Sequence, residues 1–190
     1  MKKIEFWKLA IMLALPVILI SSCNKNDNQG DGLNFEITIP FDWQYQIYSD
    51  SYFRYYAWSP LRTADDQAGI QDTINEDLLV TREYLPGSSL NEYYTNINVQ
   101  LQSKLNYIEL SMVDTTINGE DAKKLIHFQT LKIAKNNAAN DSFLLDVMPT
   151  KYFFYHNDYG YIVDCGALPY TYNYYKPIFD DIISSFQFKN

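Results

Sequence analysis

The amino-acid sequence predicts an α+β fold: a single central antiparallel β-sheet flanked by helices. Three observations carry that expectation. Runs rich in aromatic and β-branched residues recur along the chain at strand length. An Asn-Gly pair joins two of these runs as a tight hairpin. Only two segments, one midway and one at the end, space their apolar residues by three and four, as helices do.

Phe35 to Pro40, FEITIP, alternates apolar and polar side chains and stops at a proline, the pattern of a short edge strand. Tyr52 to Trp58, YFRYYAW, is a second strand by its aromatic content, and Asp77 to Leu85 a third, closed by Pro86 and Gly87. Ser89 to Glu92, SLNE, has capping-box spacing, so a helix starts there. Leu90, Tyr93, Tyr94, Ile97, Leu101 and Leu105 then form one apolar stripe, which predicts helix through Leu105 with that face in the core. Strands resume from Tyr107 to Val113, with Ile108, Leu110 and Met112 sharing a face, and continue through Asn118-Gly119 into Ala122 to Lys132. Residues 136 to 142 read as a loop. Phe143 to Met148, Lys151 to His156 and, after a turn at Asn157 to Gly160, Tyr161 to Ala167 complete the sheet. In YNYYKPIFDDIISSFQF, which begins at Tyr172, the spacing of Tyr175, Ile178, Phe179, Ile182 and Phe186 predicts the last helix, with Pro177 near its first turn, where a missing N–H costs least.

Ahead of the domain stands a leader. Lys2, Lys3 and Lys8 are followed by an apolar run from Leu9 to Ile20 and the small residues Ser21 and Ser22, the layout of a secretory signal. The run is too short to cross a hydrocarbon core, which takes about 20 helical residues. Ile20, Ser21, Ser22 and Cys23 resemble the bacterial lipobox, which implies that the Cys23 thiol receives a diacylglycerol and becomes the new N-terminus. Asn24 to Gly32 holds no aromatic or aliphatic residue and reads as a flexible tether. The expected organisation is therefore a signal peptide over residues 1–22, a lipidated Cys23 and tether over 23–33, and one globular domain over 34–190. In a Gram-negative cell, Asn24 after the cysteine directs the protein to the outer membrane.

The formal net charge is −8, and loss of the leader removes three lysines and one glutamate, leaving −10. Such a surface repels phosphates, so neither nucleic acid nor an anionic bilayer surface is an expected partner. The two cysteines are Cys23 and Cys165; with Cys23 in a thioether, no intramolecular disulfide can form. Cys165 lies in the strand-like run YIVDC and reads as a buried small hydrophobe.

Four segments carry a family resemblance: FEITIPFDW, with Phe35, Pro40 and Trp43; DLLVTREYLPGSSLNEYY, a strand running into the first helix; INGEDAKKLIHF at the central hairpin; and YYKPIFDDIISSF at the end. Together they resemble the PsbP-like family, named for an extrinsic subunit of the photosynthetic oxygen-evolving complex and sharing its fold with a Ran-binding nuclear import factor. The resemblance spans Phe35 to Phe188. It implies a layered α/β/α sandwich used as an accessory module that binds or helps assemble other proteins. The photosynthetic role itself is not implied for an acidic, tethered chain, and none of the matching motifs is catalytic.

The chemistry-bearing residues add little to that expectation. The histidines are His127 and His156, and neither can be placed against Cys165 from sequence. His156 with Asp158 falls short of the three or four ligands of a zinc site and reads as a turn with a solvated histidine. The pairs Asp65-Asp66, Glu120-Asp121 and Asp180-Asp181 lack calcium-loop spacing. No GxSxG, HExxH, P-loop or dinucleotide glycine pattern occurs, so no enzyme, metal or cofactor is expected.

Seventeen tyrosines are the compositional excess. Tyr170, Tyr172, Tyr174 and Tyr175 crowd too many consecutive positions for all to face a core, and are the expected interface. The function expected is a lipid-anchored, non-enzymatic binding or assembly module of the cell envelope. It is held to the membrane by its lipidated N-terminus and works on an envelope protein partner. A surface protein binding glycan or cation is the alternative.

Overall fold

The structure, a computed structural model, describes residues 33–61, 74–134 and 142–189. In chain order the elements are β1 (Phe35–Glu36), β2 (Gln44–Ile47), β3 (Phe53–Trp58), β4 (Asp77–Tyr84), α1 (Leu90–Gln102), β5 (Ile108–Ile117), β6 (Glu120–Ala134), β7 (Ser142–Val147), β8 (Thr150–His156), β9 (Tyr159–Gly166), α2 (Tyr172–Ser184) and β10 (Gln187–Phe188). The main sheet runs β2-β3-β4-β9-β8-β6-β5, with β7 paired to the far half of β6, and every neighbouring pair is antiparallel. β7 and β8 meet β6 in one unbroken register, and the His127 N–H bridges the gap between them by donating to the Pro149 carbonyl. β1 and β10 form a separate two-stranded ribbon.

Alternation along the strands sorts the core into two layers. Leu78, Val80, Tyr152, Phe154, Val163 and Cys165 face α2, whose Tyr175, Phe179, Ile182 and Ile183 close one cluster. Leu125, Phe153 and Ile162 point the other way, against Tyr93, Tyr94 and Leu101 of α1. The result is the α/β/α sandwich expected from the resemblance. Each large apolar side chain buried here contributes about 1.5–3 kcal/mol. Leu33, assigned from sequence to the tether, is part of the first cluster, so the domain begins at least one residue earlier.

FEITIPFDW acts as an anchor more than as a strand. Only Phe35 and Glu36 pair, with Phe188 and Gln187, because the chain then turns to seat Trp43. Phe35 stacks on Phe186, and Trp43 meets Tyr175 and Phe179 edge-on, which ties the start of the domain to the last helix. β2 and β10 were not expected: β2 is exposed along its length, and β10 is two residues long, so neither carries a burial period to read.

α1 starts as its sequence demands. Ser89 Oγ accepts the Glu92 N–H and donates to Glu92 Oε2, so the pair closes through the two side chains. The helix ends at Gln102, short of the predicted Leu105. Asn106 adopts φ 54°, a left-handed conformation that no helix continues through, and Leu105 is half exposed instead of core. α2 starts at Tyr172, where the segment read as helical begins, and Tyr172 and Tyr175 are both core anchors. Pro177 therefore sits in the second turn, on the exposed side, and not in the first turn.

Both tight turns are set by left-handed residues. Asn118 and Gly119 join β5 to β6 at φ 50° and 89°, and Asn157 and Asp158 join β8 to β9 at φ 48° and 63°. The second turn is thus shorter than the predicted Asn157 to Gly160, and Gly160 is a strand residue.

Candidate functional site

The four C-terminal tyrosines do not form one surface. Tyr172 and Tyr175 are buried and Tyr174 is half-buried, which leaves Tyr170, 58 % exposed, as the one that faces outward. Helical geometry is the reason: with the helix beginning at Tyr172, positions 172, 175 and 179 fall on the face toward the sheet. Cys23 lies outside the described residues, as do the Asp65-Asp66 pair and most of the predicted loop over residues 136 to 142.

The histidines and Cys165 are held apart. Cys165 is fully buried on the α2 side, and burial raises its thiol well above the usual range. His127 faces the α1 side, its ring tilted against that of Tyr107 at 5.2 Å. His156 shares the face of Cys165, but Thr150 is the strand partner of Cys165, and six residues of strand, about 20 Å, separate Thr150 from His156. His156 is not the solvated residue expected: its ring stacks on Phe188 at 4.1 Å and its Nδ1 lies 3.5 Å from Glu120. Neither histidine can activate the thiol. Among the described residues no group of three His, Cys, Asp or Glu could hold a metal ion.

Sequence reasoning missed a polar row inside the sheet. On the α1 side, Lys151 of β8 pairs with Asp164 of β9, and Asp77 of β4 accepts from the Tyr56 hydroxyl at 3.3 Å. Asp77 Oδ1 occupies the space that a Cβ would fill on Gly166. Burial, then the Asp164 carboxylate, pushes the Asp77 carboxyl up to about 7. Burial, then the Lys151 ammonium, holds the His127 imidazole down at about 4. Gln129 lies close enough to influence that ring but makes no hydrogen bond to it, so both ring nitrogens, and Oδ1 of Asp164, are buried without a partner among the described residues. The row is spread over four strands, so no sequence window contains it. It is a set of proton-binding groups held inside the sheet.

The surface feature that stands out is β5. It is the last strand of the sheet, ten residues long, and no described element lies along its outer edge. The sequence expectation that Ile108, Leu110 and Met112 share a face does not hold. A bulge between Glu109 and Ser111 rotates the strand, so Ile108 pairs with Phe128 on the α2 side and Met112 with Leu125 on the α1 side. All are solvent-facing: Ile108 is 56 % exposed, Leu110 53 %, Val113 47 % and Met112 38 %. Lys123 fastens the strand from below, pairing with Asp114 at 2.5 Å while its ammonium lies over the Tyr94 ring, 5.5 Å from the centroid. The other sheet edge, β2, has only four residues.

No family model and no curated protein matches this chain. Similarity appears among solved structures. The cyanobacterial PsbP (CyanoP) of Synechocystis sp. PCC 6803 superposes with a TM-score of 0.53 at 12 % identity, over 89 % of this chain and 98 % of that one. LpqN, described as involved in cell envelope biogenesis of Mycobacterium tuberculosis, gives 0.55 at 11 % identity, over 82 % and 83 % of the two chains. PA94 of Pseudomonas aeruginosa, a protein of unknown function, gives 0.52 at 12 %, over 80 % and 95 %. At such identities the likeness concerns architecture alone. The chain has the PsbP-like fold.

Proposed function

We propose that this protein is a lipid-anchored, non-enzymatic binding or assembly module of the cell envelope. The observation that carries the reading is the exposure of Ile108, Leu110, Met112 and Val113 along β5, whose outer edge is unpaired among the described residues. A strand edge left open in this way can take up a further strand from a partner. The lipobox-like Ile20 to Cys23 and the polar tether supply the anchor, and the likeness to an envelope-biogenesis protein is compatible with the location. The acidic chain suits an outer-membrane protein whose partner is a protein and not a nucleic acid.

Cross-linking of the full-length protein in intact membranes, with Cys23→Ala as the untethered control, tests both halves. The expected result is incorporation of labelled fatty acid that Cys23→Ala abolishes, together with one partner recovered in stoichiometric amount. Recovery of no partner at any surface, or turnover of a substrate that a point substitution abolishes, overturns the reading.

A further inference from the structure

The Asn118 side chain reaches out of its hairpin to the last helix. Its Nδ2 donates to the Ser184 carbonyl at 2.9 Å and to the Phe186 carbonyl at 2.8 Å. These oxygens lie at and just past the C-terminal end of α2, the negative end of the helix dipole, where a donor is stabilised and a carboxylate is not. Phe186 in turn stacks on Phe35 and Phe154. The turn therefore acts as a latch that holds the end of α2, and with it the start of the domain, against the sheet.

The residue that follows Asn118 is a glycine. Where a side chain would stand at Gly119 nothing lies within 4 Å, both turn residues are exposed, and no described group accepts from the Gly119 N–H. An asparagine next to so open an amide is chemically labile, because the backbone nitrogen can close on the side-chain carbonyl carbon. We propose that Asn118 is a modification site, converted without an enzyme to aspartate and isoaspartate, and that the conversion releases the β5–β6 turn from the end of α2.

The Gly119 nitrogen forms a bond to Asn118 Cγ and loses its proton to solvent. The Cγ–Nδ2 bond breaks, and the amide nitrogen takes up a proton and leaves as ammonia. Water then opens the succinimide ring at either carbonyl, giving aspartate or an isoaspartate whose main chain is longer by one methylene; nothing is oxidised or reduced. While both bonds to α2 are made, the amide is engaged away from its own backbone, so the attack follows opening of the latch. The product sets a carboxylate against two carbonyl oxygens in place of the donor, and the latch does not close again.

The other tight turn supplies a control within the same chain. Asn157 is also exposed and adopts φ 48° against 50° for Asn118, and its amide contacts the neighbouring His156. It is followed by Asp158, whose side chain hinders the same attack.

The test keeps the full-length protein in neutral buffer for weeks and reads positions 118 and 157 by peptide mass spectrometry that separates asparagine, aspartate and isoaspartate. Asn118 should convert at least about tenfold faster than Asn157, a barrier lower by about 1.4 kcal/mol. The amides of Ser185 and Phe186 close the end of α2 on the carbonyls of Ile182 and Ile183. In the converted fraction they should exchange hydrogen about tenfold faster than in the native chain. Asn118→Asp should reproduce that exchange at once, and Asn118→Gly, which loses the bonds but adds no charge, should fall between. If Asn118→Asp fails to fold, the slowly converted native chain supplies the measurement. Conversion of Asn118 no faster than that of Asn157 overturns the modification site. Conversion that leaves exchange at Ser185 and Phe186 unchanged overturns the release.

Discussion

Gly160 lies directly beneath the ring of Tyr93. A Cβ at position 160 would stand 2.6 Å from Tyr93 ring carbons, so α1 packs this close to β9 only because the strand lacks a side chain there. Tyr93 is thereby buried and meets Phe153 edge-on.

Gly160→Ala should push α1 off the sheet and cost about 1–3 kcal/mol, the usual range for overpacking. Denaturant melts give the loss. Tyr93→Leu in the same chain should recover part of it, since the clash is with the ring. No recovery would place the cost in the strand backbone instead.

Asn118 does two jobs. It takes up the left-handed conformation of the turn, and its Nδ2 donates to the carbonyls of Ser184 and Phe186 at 2.9 and 2.8 Å, so the β5–β6 hairpin holds the end of α2. Asn118→Ala loses both and should cost about 2–3 kcal/mol. Asn118→Gly keeps the turn and should cost about 1 kcal/mol. Equal losses in the two variants would mean that the contact with α2 carries all the effect.

The tyrosines near the last helix should separate sharply. Tyr175→Ala empties the space against Trp43 and Phe179 and should cost about 3–5 kcal/mol. Tyr170→Ala should stay within about 0.5 kcal/mol in the same urea titration. A large loss at Tyr170 would show that its exposed ring is an energetic anchor after all.

Asp77 and His127 should bend the stability profile in opposite senses. The raised Asp77 carboxyl favours the folded, protonated form, so its stabilisation is full below about 4 and is lost as the pH rises toward 7. The depressed His127 imidazole is easier to protonate in the unfolded chain, so stability is lost as the pH falls from about 6.5 to about 4. Relative to the native sequence, Asp77→Asn should gain melting temperature as the pH rises through this window, and His127→Gln should gain as it falls. Curves that stay parallel to the native one across pH 4 to 7 would remove both groups from the account.

The sequence by itself determined the layers. Apolar spacing in LNEYYTNINVQL and YYKPIFDDII specified two helices, Asn118-Gly119 specified the central hairpin, and the strand-like runs specified an antiparallel sheet, because these signals are local and obey the periods of helix and strand. The same residues carried the PsbP-like resemblance that the superpositions support as a fold. What the sequence could not determine depends on contacts between distant segments. The first helix ended short of Leu105, where Asn106 adopts a left-handed conformation. Ile108 and Met112 lie on opposite faces because a one-residue bulge shifts the register of the strand. The row of Asp77, Asp164, Lys151 and His127 exists only through the pairing of strands up to 89 residues apart in the chain, Asp77 standing opposite Gly166. Burial of each of these side chains is a property of its neighbours, and the neighbours are chosen by the tertiary fold.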